Sequence, residues 1–155
     1  MYKCKREFRR HKYYSISEVF EAFVQQHQLD GMNVGNRKII VFYSKGTKCY
    51  ICGLEATFFA KESQINNTNV DKNGNPVFHL NLYGVKNGKY GPYDVLFTQD
   101  YVISSCQNGS NDLDNLRTCC AECNNRKGFR ANMKLGKKKD FIDNVLERDQ
   151  TSKRR

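Results

Sequence analysis

The sequence predicts a small α+β domain stapled by a metal ion, with a helix toward each end of the chain. Three observations carry that expectation. Two Cys-x-x-Cys pairs, Cys49/Cys52 and Cys120/Cys123, have the spacing at which a pair of thiolates chelates one ion. Short β-branched or alternating segments lie before and between the pairs, and amphipathic patterns with capping signals flank them. The length, 155 residues, is that of one ordinary domain with a single core.

The elements follow in chain order. Lys3, Lys5, Arg6, Arg9, Arg10 and Lys12 stand against Glu7 alone, with no core-forming period, so the first dozen residues read as a basic arm. Ser15-Ile-Ser-Glu18 is a capping box, in which a hydroxyl and a carboxylate satisfy the orphan amides of a helix start. Val19, Phe20, Phe23 and Val24 then recur at helical spacing, which predicts a helix over 16–29 ended by Asp30-Gly31. Ile39-Ile-Val-Phe-Tyr43 is a β-branched apolar run and reads as a strand leading into the first cysteine knuckle. Lys61 to Pro76 is polar and closes on Asn73-Gly74-Asn75-Pro76, which is turn chemistry and predicts a loop. Residues 77–83 and 94–98 read as the arms of a β-hairpin across a turn-rich segment. Residues 113–127 suit a helix that is interrupted or begun at the second cysteine pair, and 140–147 suit a last short amphipathic helix. The chain divides accordingly into 1–45, a basic arm, helix and strand; 46–130, the metal-bound domain; and 131–155, a basic helix and tail.

Charge restricts the partner. The formal net charge is +10 at pH 7. Clustered Lys and Arg gain free energy by releasing counterions from phosphate backbones, so nucleic acid is the expected partner. Arg126, Lys127, Arg130, Lys134, Lys137, Lys138 and Lys139 form an acid-free basic stretch beside the second cysteine pair and are the candidate nucleic-acid contacts. No apolar run approaches the ~20 residues of a membrane span, and the basic start has no apolar stretch behind it, so neither a membrane role nor a leader is expected. Seven cysteines, four of them in two short pairs, point to metal ligation in a reducing cytoplasm; the competing reading is disulfide pairing. Zinc, a borderline-soft ion with a tetrahedral preference, suits four thiolates. Cys119 adjoins Cys120, but only Cys120 gives the two-residue gap to Cys123. Cys4 and Cys106 have no partner at ligand spacing and read as small apolar residues.

From His79 to Gly128 the sequence resembles the phage-type HNH endonucleases. The matching pieces are His79-Leu-Asn-Leu-Tyr83, Thr98-Gln-Asp100-Tyr101-Val-Ile-Ser104, Asn115-Leu116, and Cys120-Ala-Glu-Cys123-Asn124-Asn-Arg-Lys127-Gly128. The resemblance implies a ββα-metal unit, two strands and a helix around one divalent cation that grips the scissile phosphate. It implies Asp100 as a metal-ligating carboxylate, Asn115 as the residue holding loop and strand in register, and Asn124 as a further metal ligand. Oxygen ligands of this kind suit Mg²⁺ or Mn²⁺. Taken without that frame, Asp100, Asn115 and Asn124 read as turn and helix caps.

The departures from the pattern cluster at one turn. Tyr101 stands where the family has its general-base histidine, Ser104 where it has proline, and Asn108 where it has the first loop glycine. A phenol keeps its proton at neutral pH where an imidazole accepts one, and general-base catalysis is worth roughly a hundred- to ten-thousand-fold. His79 as a substitute base competes with a structural role, and activation of Tyr101 by a metal or a lysine is a further route. His11 and His27 read as solvated or packing residues. Three functions follow as expectations: a metal-dependent DNA phosphodiesterase with a degenerate base position, a silent HNH-like module that binds nucleic acid, and a regulator that keeps the fold to bind a protein.

Overall fold

A computed structural model of the chain describes residues 8–65 and 69–134. Its centre is a five-stranded antiparallel sheet in the order β1-β4-β5-β6-β7, formed by β1 (Phe8–Tyr14), β4 (Ala56–Gln64), β5 (His79–Gly88), β6 (Gly91–Tyr101) and β7 (Leu116–Cys120). Helices α1 (Ile16–Gln25) and α2 (Arg37–Lys45) and the small hairpin of β2 (Gln28–Leu29) and β3 (Met32–Asn33) separate β1 from β4. Helix α3 (Ala121–Lys134) follows β7 directly and packs on β6 and β7. The α+β class is therefore as the sequence predicts, and β6, β7 and α3 make the ββα unit.

The basic arm is in part a strand. Residues 8–14 pair antiparallel with β4, from Phe8 opposite Gln64 to Tyr14 opposite Phe59, with an irregularity between Arg10 and Lys12. The signal was hidden because the inward residue Arg10 is charged. Its guanidinium donates to Glu62 at 3.0 Å and Asp94 at 2.7 Å and lies 4.5 Å from the ring centroid of Tyr83, so a cation takes the place that an apolar side chain fills in most strands. Strand β4 likewise runs to Gln64, into the segment expected to be loop from Lys61 onward.

Residues 37–45 are helical, which corrects the strand expected at Ile39–Tyr43. The Asn36 side chain accepts from the Ile39 amide at 3.1 Å and caps the helix, while Gly46, at φ 93°, ends it. Ile39 and Phe42, one turn apart, are fully buried against the sheet, where Phe59 and Leu82 face each other across β4 and β5. Helix α1 starts as the capping box predicts, with Ser15 Oγ accepting from the Glu18 amide at 3.1 Å. It stops at Gln25, earlier than expected. Asp30 and Gly31, at φ 45° and 77°, form the two-residue turn of the β2–β3 hairpin instead of a helix terminus.

The expected hairpin of residues 77–98 is present and longer, from His79 to Tyr101 around Gly88 and Gly91. Its second strand is shared: residues 91–96 of β6 pair with β5, and Phe97–Tyr101 pair with Leu116–Cys120 of β7. The stretch 113–127, expected to be a helix interrupted or begun at the second cysteine pair, resolves into a 3-10 turn at Leu113–Asn115, then β7, then α3, which begins between Cys120 and Cys123. The helix expected over 140–147 lies outside the described residues.

Candidate functional site

Two centres sit at the β6–β7–α3 end of the sheet, one of sulfur and one of oxygen. Cys49 and Cys52 lie in a turn closed by the bridge Lys48–Glu55, with Gly53 at φ 79° donating its amide to Cys49 O at 2.9 Å. Cys120 ends β7, and Cys123 is in the first turn of α3. The first knuckle docks on β7 through Tyr50 N to Thr118 O, 3.0 Å, and the Thr118 hydroxyl to Gly46 O. The four sulfurs all lie within 4.8 Å of one another, and Cys52 Sγ is 3.8 Å from Cys120 Sγ. A regular tetrahedron with metal–sulfur arms of ~2.3 Å has edges of roughly 3.8 Å, so this donor set fits a four-coordinate thiolate-bound ion. Cys119 is buried, outside the group, with its thiol turned onto Cys120 O.

The thiol chemistry is prepared unequally. Burial pushes the Cys49 thiol up, but backbone amides of Cys120, Cys52 and Ile51 pointing at its sulfur outweigh burial and bring it down to about 6. Burial, and then the neighbouring thiols of Cys120 and Cys52, push Cys123 up to about 12. Four sulfurs this close cannot all ionise by themselves. A divalent cation reverses that balance, which is how metal binding becomes folding free energy.

The oxygen centre is built on Asp100, 8 % exposed near the end of β6. Tyr50, between the two cysteines of the first knuckle, donates its hydroxyl to Asp100 Oδ2 at 2.7 Å. Lys127, one turn after Cys123, donates from Nζ to the same oxygen at 2.8 Å, to Tyr50 Oη at 3.0 Å, and to the carbonyl of Tyr101. Each cysteine pair thus delivers one side chain to Asp100. Burial pulls the Lys127 ammonium down, and its bonds to Asp100 and Tyr50 outweigh that, so its pKa stands above the ordinary lysine value. Asn124 lies three residues before Lys127 in α3, hence on the same helix face.

Asn115 pins the turn after β6. Its Oδ1 accepts from Ile103 N at 2.8 Å, and its Nδ2 donates to Ile103 O at 2.9 Å and Ser110 O at 2.7 Å. Inside the turn, Ser104 has φ −65°, the value a proline ring imposes, and Asn108 has φ 62°, the left-handed region glycine enters freely and asparagine tolerates. At both departures from the sequence pattern the backbone is therefore one that the pattern's own residue could adopt. Gly109 has no such latitude, because a Cβ there would lie 1.7 Å from the carbonyl oxygen of Ile103. Tyr101 changes the chemistry instead: its side chain leaves the strand on the face opposite Asp100, and its hydroxyl donates to Asn111 Oδ1 at 2.6 Å.

Residues 87–130 match the HNH endonuclease family model. No curated protein and no solved structure gives a significant match. The HNH segment holds β6, β7, most of α3 and two of the four thiols, while Cys49, Cys52 and Tyr50 come from outside it.

The remaining expectations fall elsewhere. Arg126 is exposed, with Nη2 at 3.9 Å from Cys123 Sγ. Of the other basic residues, Arg130 and Lys134 belong to α3, and Lys137, Lys138 and Lys139 lie outside the described residues. His79 is bonded at Nε2 to the Asn69 amide at 3.0 Å and borders a cleft of about 720 Å³ also lined by Lys38; burial, then the nearby Lys38 charge, lower its pKa. His11 bonds Ser63 Oγ at 2.8 Å, and His27 packs edge-on against Phe23. Among the described residues no helix is long and apolar enough to cross a membrane. Tyr50 escaped the sequence reading altogether. Its one signal is a position between two metal ligands, which fixes its backbone whatever its side chain does.

Proposed function

We propose that this protein binds nucleic acid, double-stranded DNA in particular, through the β6–β7–α3 face of its HNH segment, as a module with its hydrolytic machinery silenced. The observation that carries this reading is the double commitment at the catalytic turn. Asp100 is engaged by Lys127 and Tyr50, and the hydroxyl of Tyr101 is donated to Asn111. The donor set at Asp100 does not fit a divalent ion as it stands, since the oxygen that would face the ion already carries an ammonium and a phenol. The thiolate centre fits zinc, and we assign it a structural role: it fixes the start of α3, from which the exposed Arg126 reaches phosphates, with Arg130, Lys134, Lys137, Lys138 and Lys139 as the further contacts expected from the sequence.

The test is fluorescence anisotropy of a labelled DNA duplex across a salt series, beside plasmid nicking in Mg²⁺ or Mn²⁺. Binding that weakens steeply with salt, with no nicking, is the expected result. A second reading, a divalent-metal phosphodiesterase using Asp100 and Asn124, is favoured by the family match itself. Nicking by the native protein that Asp100→Ala abolishes selects it, whereas no nicking by the native protein or by Tyr101→His, in which Asp100 stays engaged by Lys127 and Tyr50, supports the silenced module.

A further inference from the structure

We propose that Lys127 is the resident cation of the HNH segment: its ammonium fills an all-oxygen cage at Asp100 and keeps divalent metal ions out of it. The proposal deepens the silenced-module reading and rests on it for the identity of Asp100 as the family's metal position. The cage consists of Asp100 Oδ2 at 2.8 Å, Tyr50 Oη at 3.0 Å, Val102 O at 3.5 Å and the carbonyl of Tyr101. One carboxylate, one phenol and two carbonyls are hard donors of the kind that otherwise surround Mg²⁺ or Ca²⁺.

The hydrogen-bond directions agree with an ammonium guest. Tyr50 spends its proton on Asp100 Oδ2 and so presents only lone pairs to Nζ, while the three ammonium protons are shared among oxygens that all accept. Lys127 is also held where it is from behind. It sits one turn after Cys123, and Tyr50 lies between Cys49 and Cys52, so the sulfur centre fixes both walls of the cage. A divalent ion approaching Asp100 Oδ2 would meet a positive charge on the same oxygen and would have to expel it. With Asp100 and Lys127 cancelling one another, the cage also lacks the excess negative charge that draws in a metal.

Titration of Mn²⁺ into zinc-loaded full-length protein, with free Mn²⁺ read from its electron paramagnetic resonance signal, tests the assignment. The native protein is expected to show no Mn²⁺ binding that Asp100→Asn removes. Lys127→Met is expected to bind Mn²⁺ at least about tenfold more tightly than the native chain, and the double variant Lys127→Met, Asp100→Asn to lose that gain. Lys127→Gln, which keeps an amide donor for the carbonyls, replaces Lys127→Met if the latter loses zinc. Tight Asp100-dependent Mn²⁺ binding by the native protein, or a smaller gain in zinc-retaining variants, overturns the proposal. The duplex anisotropy series, run without Mn²⁺, reports separately on nucleic-acid binding: its failure with the Mn²⁺ gain intact removes the proposed function and leaves the Lys127 assignment standing.

Discussion

The sulfur centre and the oxygen centre lie at the same end of the sheet and differ in one respect. The four thiols of the first face one another and backbone amides, with only the Arg126 guanidinium 3.9 Å from Cys123 Sγ near them, so a cation among them completes the group. The carboxylate of the second is already completed by the protein's own cation. The comparison shows that a metal-binding pattern in a sequence says which atoms can meet, whereas occupancy is decided by what else reaches them. It also shows a direction of dependence, since Tyr50 and Lys127 are delivered to Asp100 by the two cysteine knuckles.

The largest expected effect breaks both centres at once. Structural zinc contributes on the order of ten kcal/mol, comparable with the whole stability of a domain. Chelation, or Cys120→Ser, should therefore abolish the cooperative thermal transition seen by circular dichroism, and metal analysis should find no bound ion. A variant that loses the ion yet melts cooperatively would show that the knuckles are held by Thr118 and the β7 contacts without it.

Breaking the oxygen side alone should leave the sulfur side intact. Gly109→Ala forces the turn away from the Ile103 carbonyl and should cost about 3 kcal/mol or more in urea denaturation while leaving the metal content found by metal analysis unchanged. Ser104→Pro, at a φ of −65° that a proline ring keeps, should cost less than Gly109→Ala. Equal costs for the two would mean that the turn is not held as tightly as the geometry requires.

The smallest effect concerns Glu122, which lies between Cys120 and Cys123 and whose carboxylate accepts from Lys86 and Tyr93. The hydrogen bond from the Lys86 ammonium, at 2.8 Å, is the main cause lowering the Glu122 carboxyl, with the Tyr93 hydroxyl adding to it. A carboxylate lowered on folding contributes stability that is present above its unfolded value of ~4.3 and lost as the pH falls through the folded one. Glu122→Gln should remove that acid-side dependence and cost no more than about 1 kcal/mol near neutrality, because the pair is partly exposed. Denaturant midpoints at pH 3 to 7 for both chains give the comparison.

Much of the site frame was legible in the residues. Cysteine spacing identifies ligands because chelation of one ion needs a short, fixed gap, and Ser15 and the residues from 77 to 98 announce a helix start and a hairpin through local chemistry. The failures are equally local in origin. Five apolar residues at 39–43 suit a strand or a buried helix, and the Asn36 cap that settled it acts through a bond three residues on. Residues 8–14 looked like a solvated arm because Arg10 is charged, and its partners Glu62 and Asp94 are 52 and 84 residues away.

The sequence by itself determined the α+β class and the four thiols, since these follow from residue type and short spacing, whereas Asp100, Tyr101, Asn115 and Asn124 were singled out only by the resemblance to the HNH pattern. Only the tertiary structure decided that Tyr50 and Lys127 converge on one oxygen of Asp100 and that Tyr101 turns to Asn111. Such partnerships join residues that separate elements bring together, and a side chain's direction across that distance is fixed by packing, which no local pattern encodes.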